Sequence, residues 1–189
     1  MPTPIGHALA GLAVAWSTEP SGHSFRPGRS LAGPLTLACV ALAVLPDADL
    51  LYPPIHRAVT HSVGATILVT IIAAAVTARV TGRISWRIAL ACAAAHASHL
   101  LTDWLGTDRN YAPYGIQMLW PFDTGWHISG WDVFLPVERR RPFSLPTLRT
   151  NVAAAAWEIT VLGPVVAAMW LVRRRAKKLR SSGTQEARK

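Results

Sequence analysis

Charge is what this sequence has least of. Asp, Glu, Lys and Arg make up 15% of 189 residues, hydrophobic residues make up 51%, and the mean hydropathy is +0.27. That balance excludes an ordinary soluble domain and points to an integral membrane protein, while the length fits a single domain. Acidic residues are scarcer still, 10 against 19 basic ones, for a net charge of +9. Eight of the basic residues crowd between Arg173 and Lys189. A run of that kind suits an anionic lipid surface better than a nucleic-acid groove, so membrane lipid is the expected partner and specific nucleic-acid binding is not expected. Cysteine is nearly absent: Cys39 and Cys92 both lie in apolar segments and read as small buried hydrophobes, which leaves neither a disulfide framework nor a thiolate metal site. Their similar predicted depth keeps a single bridge between them open. The start of the chain lacks the basic leader and cleavage site of a signal peptide, and no internal repeat is apparent.

What is present is a series of apolar segments. Pro4 to Trp16 reads as a short helix with Pro at its start and His7 in its first turn. After a Ser, Gly and Pro-rich loop, in which His23 has no assigned role, Ser30 to Pro46 is free of charge and stops at Asp47 and Asp49. Ser62 to Ala78 is again uncharged, about 25 Å long if helical against a hydrocarbon core of about 30 Å. Arg79, Arg83 and Arg87 precede a helix from Ile88 to Thr102. Residues 104 to 149 form a long loop holding Trp104, Trp120, Trp126 and Trp131, an aromatic density expected of a cap at the membrane interface. Thr150 to Val172 is long enough to span, and residues 173 to 189 read as a basic cytoplasmic tail, disordered from Ser181. The expected fold is all-α, a membrane bundle of four or five helices over residues 1 to 172.

Threading these segments up and down brings chemistry together. At about 100° per residue, His99 and Asp103 lie roughly 40° apart and His96 about 60° to the other side, so three polar groups share one face of a greasy helix. Such groups are costly there without a partner that neutralises them. If the first helix starts at the outer end, then His7, Asp47, Asp49, His61, His99 and Asp103 all arrive at that same end. Thirteen of the 19 basic residues arrive at the other. The positive-inside rule makes that second end cytoplasmic, with Arg139, Arg140 and Arg141 as the main violation.

Imidazole and carboxylate without thiolate fit a divalent metal in a hydrolytic site, zinc first, with manganese and iron as alternatives. The expected ligands are His61, His99 and Asp103, with His7 available for a second ion that Asp103 bridges. Asp47 or Asp49 would ligate or accept a proton from water. Arg57 would hold a substrate anion, or else snorkel at the interface; His56 beside it is less secure. Against these stand plainer roles: a helix start for His7, a turn after Pro46 for the two aspartates, core histidines at His96 and His99. His127, in the aromatic loop, reads as structural. Glu158, some eight residues into an apolar helix, is a functional suspect that could equally pair inside the bundle.

The ordered series His7, Pro46-Asp47-Ala48-Asp49, His56-Arg57-Ala58-Val59-Thr60-His61-Ser62 and His99-Leu100-Leu101-Thr102-Asp103 resembles the YdjM family of small membrane proteins described as metal-dependent hydrolases. The likeness covers roughly the first 125 residues, Trp120-Pro121-Phe122 included. That family in turn resembles the zinc-dependent phospholipase C and P1 nuclease group of all-helical phosphodiesterases. Carried over by motif, the resemblance implies one zinc on His61, His99 and Asp103 and another on His7 and Asp103, and gives Asp49 more weight than Asp47. The further His and Glu ligands of the soluble enzymes have no clear counterpart, so one or two ions are expected and not a full cluster. The resulting expectation is a multi-pass membrane hydrolase acting on a phosphoester, lipid included, with its site on the non-cytoplasmic side. A metal staple without catalysis and a metal or proton transporter are the alternatives, and oligomeric state is left open.

Overall fold

The computed structural model describes residues 1–18, 33–52, 56–108, 112–139, 141 and 143–186, with the main chain alone from 176 to 186. His23, Arg26, Arg29 and Arg140 lie outside the described residues. Among the described residues five α-helices form the fold: α1 Pro4–Thr18, α2 Pro34–Val44, α3 Val63–Thr81, α4 Trp86–Trp104 and α5 Leu145–Glu186. Among the described residues there is no strand, only two isolated bridges, Gly106 with Phe134 and Ile116 with His127. α1 sits between α2, α4 and α5, and α4 also packs on α3.

Small side chains set this packing. Ala15, Cys39, Ala91 and Ala95 form a buried cluster between α1, α2 and α4, and small residues let helices approach closely where lipid offers no hydrophobic contrast. Gly11 shows how close: a Cβ there would fall 2.7 Å from the Ala43 methyl and 2.8 Å from the Cys39 carbonyl. The outer faces of α3 and α5 carry exposed Ile67, Leu68, Ile71, Ile72, Val152, Ile159 and Leu171, apolar surface that a bilayer covers. Among the described residues, three segments are long and apolar enough to cross a membrane: Pro34–Leu51, Val63–Thr81 and Leu145–Arg175. α1, at 15 residues, is about 22 Å long and falls short of a full crossing.

Local chemistry explains where the helices begin and end. Pro46 has no N–H to continue α2, and the chain tightens into a 3₁₀ segment over Leu45–Leu51. Its three-residue period puts Pro46 and Asp49 on a buried face and Leu45, Ala48 and Leu51 on an exposed one; on the third edge Asp47 is half-buried and Leu50, one turn on, is exposed. Ser62 caps α3, its Oγ accepting from Ala65 N at 3.1 Å. The left-handed Gly82 (φ 75°) ends that helix. α5 extends beyond the expected Thr150–Val172: it starts at Leu145, passes Pro164 and runs to Glu186, so the segment from Ser181 expected to be disordered continues the helix as far as Glu186.

The N-terminal end of α1, the C-terminal ends of α2 and α4 and the N-terminal end of α3 meet at one end of the bundle. At the other end, Arg87 donates to the Thr18 carbonyl at 2.8 and 3.0 Å and the Arg173 guanidinium lies 5.8 Å from the Trp16 ring centre. α5 therefore runs the same way as α1. The segment between α4 and α5 is shorter at both ends than the expected 104–149 loop, because Trp104 closes α4 and Leu145 opens α5; it is tied down over the first end by backbone bonds, Val63 N to Met118 O, Gly64 N to Trp120 O and Gln117 N to Arg57 O among them.

Candidate metal centre

Three imidazoles meet at that end, each fixed through Nδ1. His99 Nδ1 donates to the Ala43 carbonyl at 2.7 Å; Ala43 lies in the last turn of α2, where carbonyls lack helical donors. His7 Nδ1 meets Thr102 Oγ1 at 3.0 Å. The Thr102 hydroxyl spends its own hydrogen on the carbonyls of Ser98 and His99, so it accepts from His7. His61 Nδ1 faces Asp49 Oδ2 at 3.1 Å, a carboxylate acceptor. With every Nδ1 donating, each Nε2 carries a lone pair whenever its ring is neutral, as a metal ligand must be.

Those lone pairs converge. His7, His61 and His99 are fully buried and Asp103 nearly so. Asp103 Oδ2 lies 3.2 Å from His99 Nε2 and 3.4 Å from His61 Nε2, and Asp103 Oδ1 lies 3.4 Å from His7 Nε2. Asp47 spans the same gap, Oδ1 at 3.6 Å from His61 Nε2 and Oδ2 at 3.7 Å from His7 Nε2. The His7 and His99 rings stack with centroids 3.8 Å apart. Among the described residues, the three Nε2 atoms and both Asp103 oxygens are buried without a hydrogen-bond partner. Buried polar atoms are rarely left so. Donors about 2.0–2.2 Å from a tetrahedrally held cation would stand about 3.3–3.6 Å from each other, close to the spacings here. His7, Asp47, His99 and Asp103 each offer an atom within 4.8 Å of the others, and the donor set fits a divalent cation. At His61 burial opposes protonation, but the carboxylates of Asp47 and Asp49 outweigh it and the imidazole pKa is raised to about 9.

The remaining sequence candidates sit elsewhere. Asp49, weighted above Asp47 from the sequence, is behind the site and not in it: its oxygens take His56 Nδ1 at 2.5 Å, Arg57 N at 3.0 Å, the Thr60 hydroxyl and His61. The 3₁₀ period turned it to the buried face and left Asp47 on the edge facing the histidines. Arg57 is not free to hold an anion, because its buried guanidinium is paired with Asp108 and lies 5.8 Å from the Trp126 ring centre. His96 turns toward α3, bonded to Thr66 Oγ1 at 2.8 Å. His127 is a loop residue whose Nε2 meets Asp123 at 3.0 Å. Glu158 pairs inside the bundle: it accepts from Thr3 N at 2.6 Å, from the Thr3 hydroxyl and from Gly6 N at 2.9 Å. It thus caps α1 from α5 and fixes the turn that carries His7, and a Cβ on Gly6 would meet its carboxylate at 2.8 Å. Sequence reasoning missed Thr102, which orients His7, although its place one residue before Asp103 on the same helix was a usable signal.

Compared with known protein families, residues 1–180 match the family model described as YdjM inner membrane protein. No curated protein and no solved structure matches the chain.

Proposed function

We propose, from the premise that the chain belongs to the YdjM inner membrane protein family, that it is a metal-dependent hydrolase of phosphoesters. Zinc is the favoured cation, manganese and iron the alternatives, and a membrane lipid is the favoured substrate class. One observation carries the reading: five buried donor atoms on two helices, α1 and α4, and the turn before α3 point at one another with no hydrogen-bond partner among the described residues. Repulsion among those lone pairs makes the arrangement costly unless a cation or protons fill it. When bound, a divalent cation supplies Lewis acidity, acidifying water and polarising a phosphoryl oxygen.

The chain's own residues divide the remaining work. His7, His61, His99 and Asp103 would hold the cation, and the two oxygens of Asp103, facing opposite sides, accommodate one ion or two. Asp47 keeps 21% of its side chain exposed, where the other members of the cluster keep 0–1%. It is the carboxylate that could take a proton from water, and it marks the side from which substrate reaches the site. Leu50, on the same 3₁₀ edge, and Leu51 beside it are exposed, an apolar rim suited to an acyl chain next to a phosphate. The gathering of Arg87 and Arg173 at the far end supports a cytoplasmic basic end and a site on the opposite side.

The complete burial of three histidines also favours a second reading, a structural ion that staples α1, α3 and α4 without turnover. Elemental analysis of the purified protein, paired with a screen of chromogenic phosphodiesters and monoesters in added zinc or manganese, separates the two. Stoichiometric metal with hydrolysis is the expected result. Metal without hydrolysis of any ester leaves the staple, and protein that holds no metal ends both readings.

A further inference from the structure

Behind His61 lies a chain of contacts that reaches far along the sequence. His61 Nδ1 faces Asp49 Oδ2, and Asp49 Oδ1 takes His56 Nδ1 at 2.5 Å. The far side of the His56 ring, Nε2, is met by the guanidinium of Arg139. Arg139 is 83 residues from His56 and comes from the stretch just before α5. That stretch is pinned to α5 by a reciprocal pair, Glu138 N to Asn151 Oδ1 and Asn151 Nδ2 to Glu138 O, both 2.9 Å. The Arg139 main-chain N–H also bonds Glu138 Oε1 at 2.8 Å.

We infer that Arg139 is a positioning residue of the metal centre, acting through His56 and Asp49 to hold the His61 ring. A guanidinium has donors only. Facing His56 Nε2, it requires that nitrogen to accept, which puts the ring's hydrogen on Nδ1 and aims it at Asp49. Asp49 must then stay an acceptor on both oxygens, and its Oδ2 receives His61 Nδ1–H, leaving His61 Nε2 as the nitrogen that faces Asp103 and Asp47 and would bind the ion. Outer partners of this kind fix tautomer and ring orientation of a metal-ligating histidine, and their loss typically lowers metal affinity about 10- to 100-fold. Arg139 also belongs to the trio that violates the positive-inside pattern; its charge is used inside the fold, against a ring, and not as a topological signal.

The inference rests on the metal-centre reading, and the test separates the two. Full-length protein in detergent is titrated with Co²⁺ against a chelator, reading affinity and the visible absorption band. The histidine tautomers are read independently in the chelator-treated protein by nitrogen NMR. For Arg139→Met we expect an altered band, affinity lower by about 10- to 100-fold, and loss of the pure Nδ1–H form of His56. Arg139→Lys, a cationic donor, should recover most of both. Because Arg139 acts through His56, adding Arg139→Met to His56→Ala should weaken Co²⁺ binding by no more than about twofold beyond His56→Ala alone. Wild-type affinity and tautomer in Arg139→Met, or losses that multiply in the double variant, overturn the inference. If Arg139→Met does not fold, Arg139→Gln replaces it: its amide can donate or accept and no longer dictates the tautomer, so an unchanged His56 there is equally fatal. A wild-type chain that binds no Co²⁺ sinks the metal centre itself, and the tautomer measurement then still decides the role of Arg139.

Discussion

Asparagine at Asp49 and asparagine at Asp47 should behave as opposites. At Asp49, three donors face Oδ2 and one, His56 Nδ1, faces Oδ1. An amide has a single acceptor oxygen, which settles among the three, leaving its NH₂ against the His56 N–H. Flipping the His56 tautomer to escape this turns a second N–H toward Arg139, so the conflict moves and does not vanish. The lost bond to a charged acceptor is worth about 1.5–3 kcal/mol, and a stranded buried donor costs about 1–3 more. A loss of about 2.5–6 kcal/mol lowers the unfolding midpoint by about 5–24 °C for a chain of this length, and metal affinity should fall about 10- to 100-fold as His61 loosens. Asp47, part-exposed and facing only the ligand atoms, should give metal-loaded Asp47→Asn a smaller loss of stability than Asp49→Asn, while turnover drops by about 100-fold or more. Thermal unfolding in detergent, elemental analysis and hydrolysis of a chromogenic phosphodiester measure the three quantities on each variant. Asp49→Asn with wild-type stability and metal but abolished turnover would refute this division of labour and make Asp49 the proton acceptor.

Three further outcomes are expected. Replacing His99 and Asp103 together by Ala should abolish high-affinity metal binding, since two donors leave one helix face; unchanged metal content in the double variant would remove the site. A reporter fused after Lys189 should be cytoplasmic, while a cysteine at exposed Trp131 should react with an impermeant reagent from outside; labels reporting one side would overturn the assigned orientation. The His61 imidazole has its pKa raised from 6.5 to about 9, so it stabilises chelator-treated protein fully below pH 6.5, and that contribution is lost as pH rises through about 9. Metal must displace the proton, so apparent affinity should climb about tenfold per pH unit across that window. A chelator-treated unfolding midpoint flat from pH 6.5 to 9 would count against it.

The convergence of His7, Asp47, His61, His99 and Asp103 was legible because it needs only helix count and alternation: each lies near the end of an apolar segment, and alternating segments put those ends together. Choosing between Asp47 and Asp49 was not legible. The choice depends on a 3₁₀ winding after Pro46 and on which edge of that turn faces α1, neither of which residue spacing specifies. Arg57 misled because a lone arginine near a carboxylate motif looks available, and its partner Asp108 lies 51 residues away in a loop whose path no periodicity describes. Glu158 was correctly suspicious as a charge in a greasy helix, but its donors are the backbone N–H groups of residues 3 and 6 and the Thr3 hydroxyl, more than 150 residues away, a pairing that no sequence pattern marks. Arg139 was counted only as a topological exception, for the same reason that a contact across a long irregular loop leaves no local trace.

The cap that Glu158 places on α1 has a consequence in the order of synthesis. Every side chain of the cluster lies between residues 7 and 103, whereas the carboxylate that fixes the first of them comes at 158 and the amide that pins Arg139 at 151. A growing chain thus exposes all of its donors well before it makes either support. A chain stopped after α4 would own the complete set of ligands, and would still lack the two ties that hold His7 and His61 to their places.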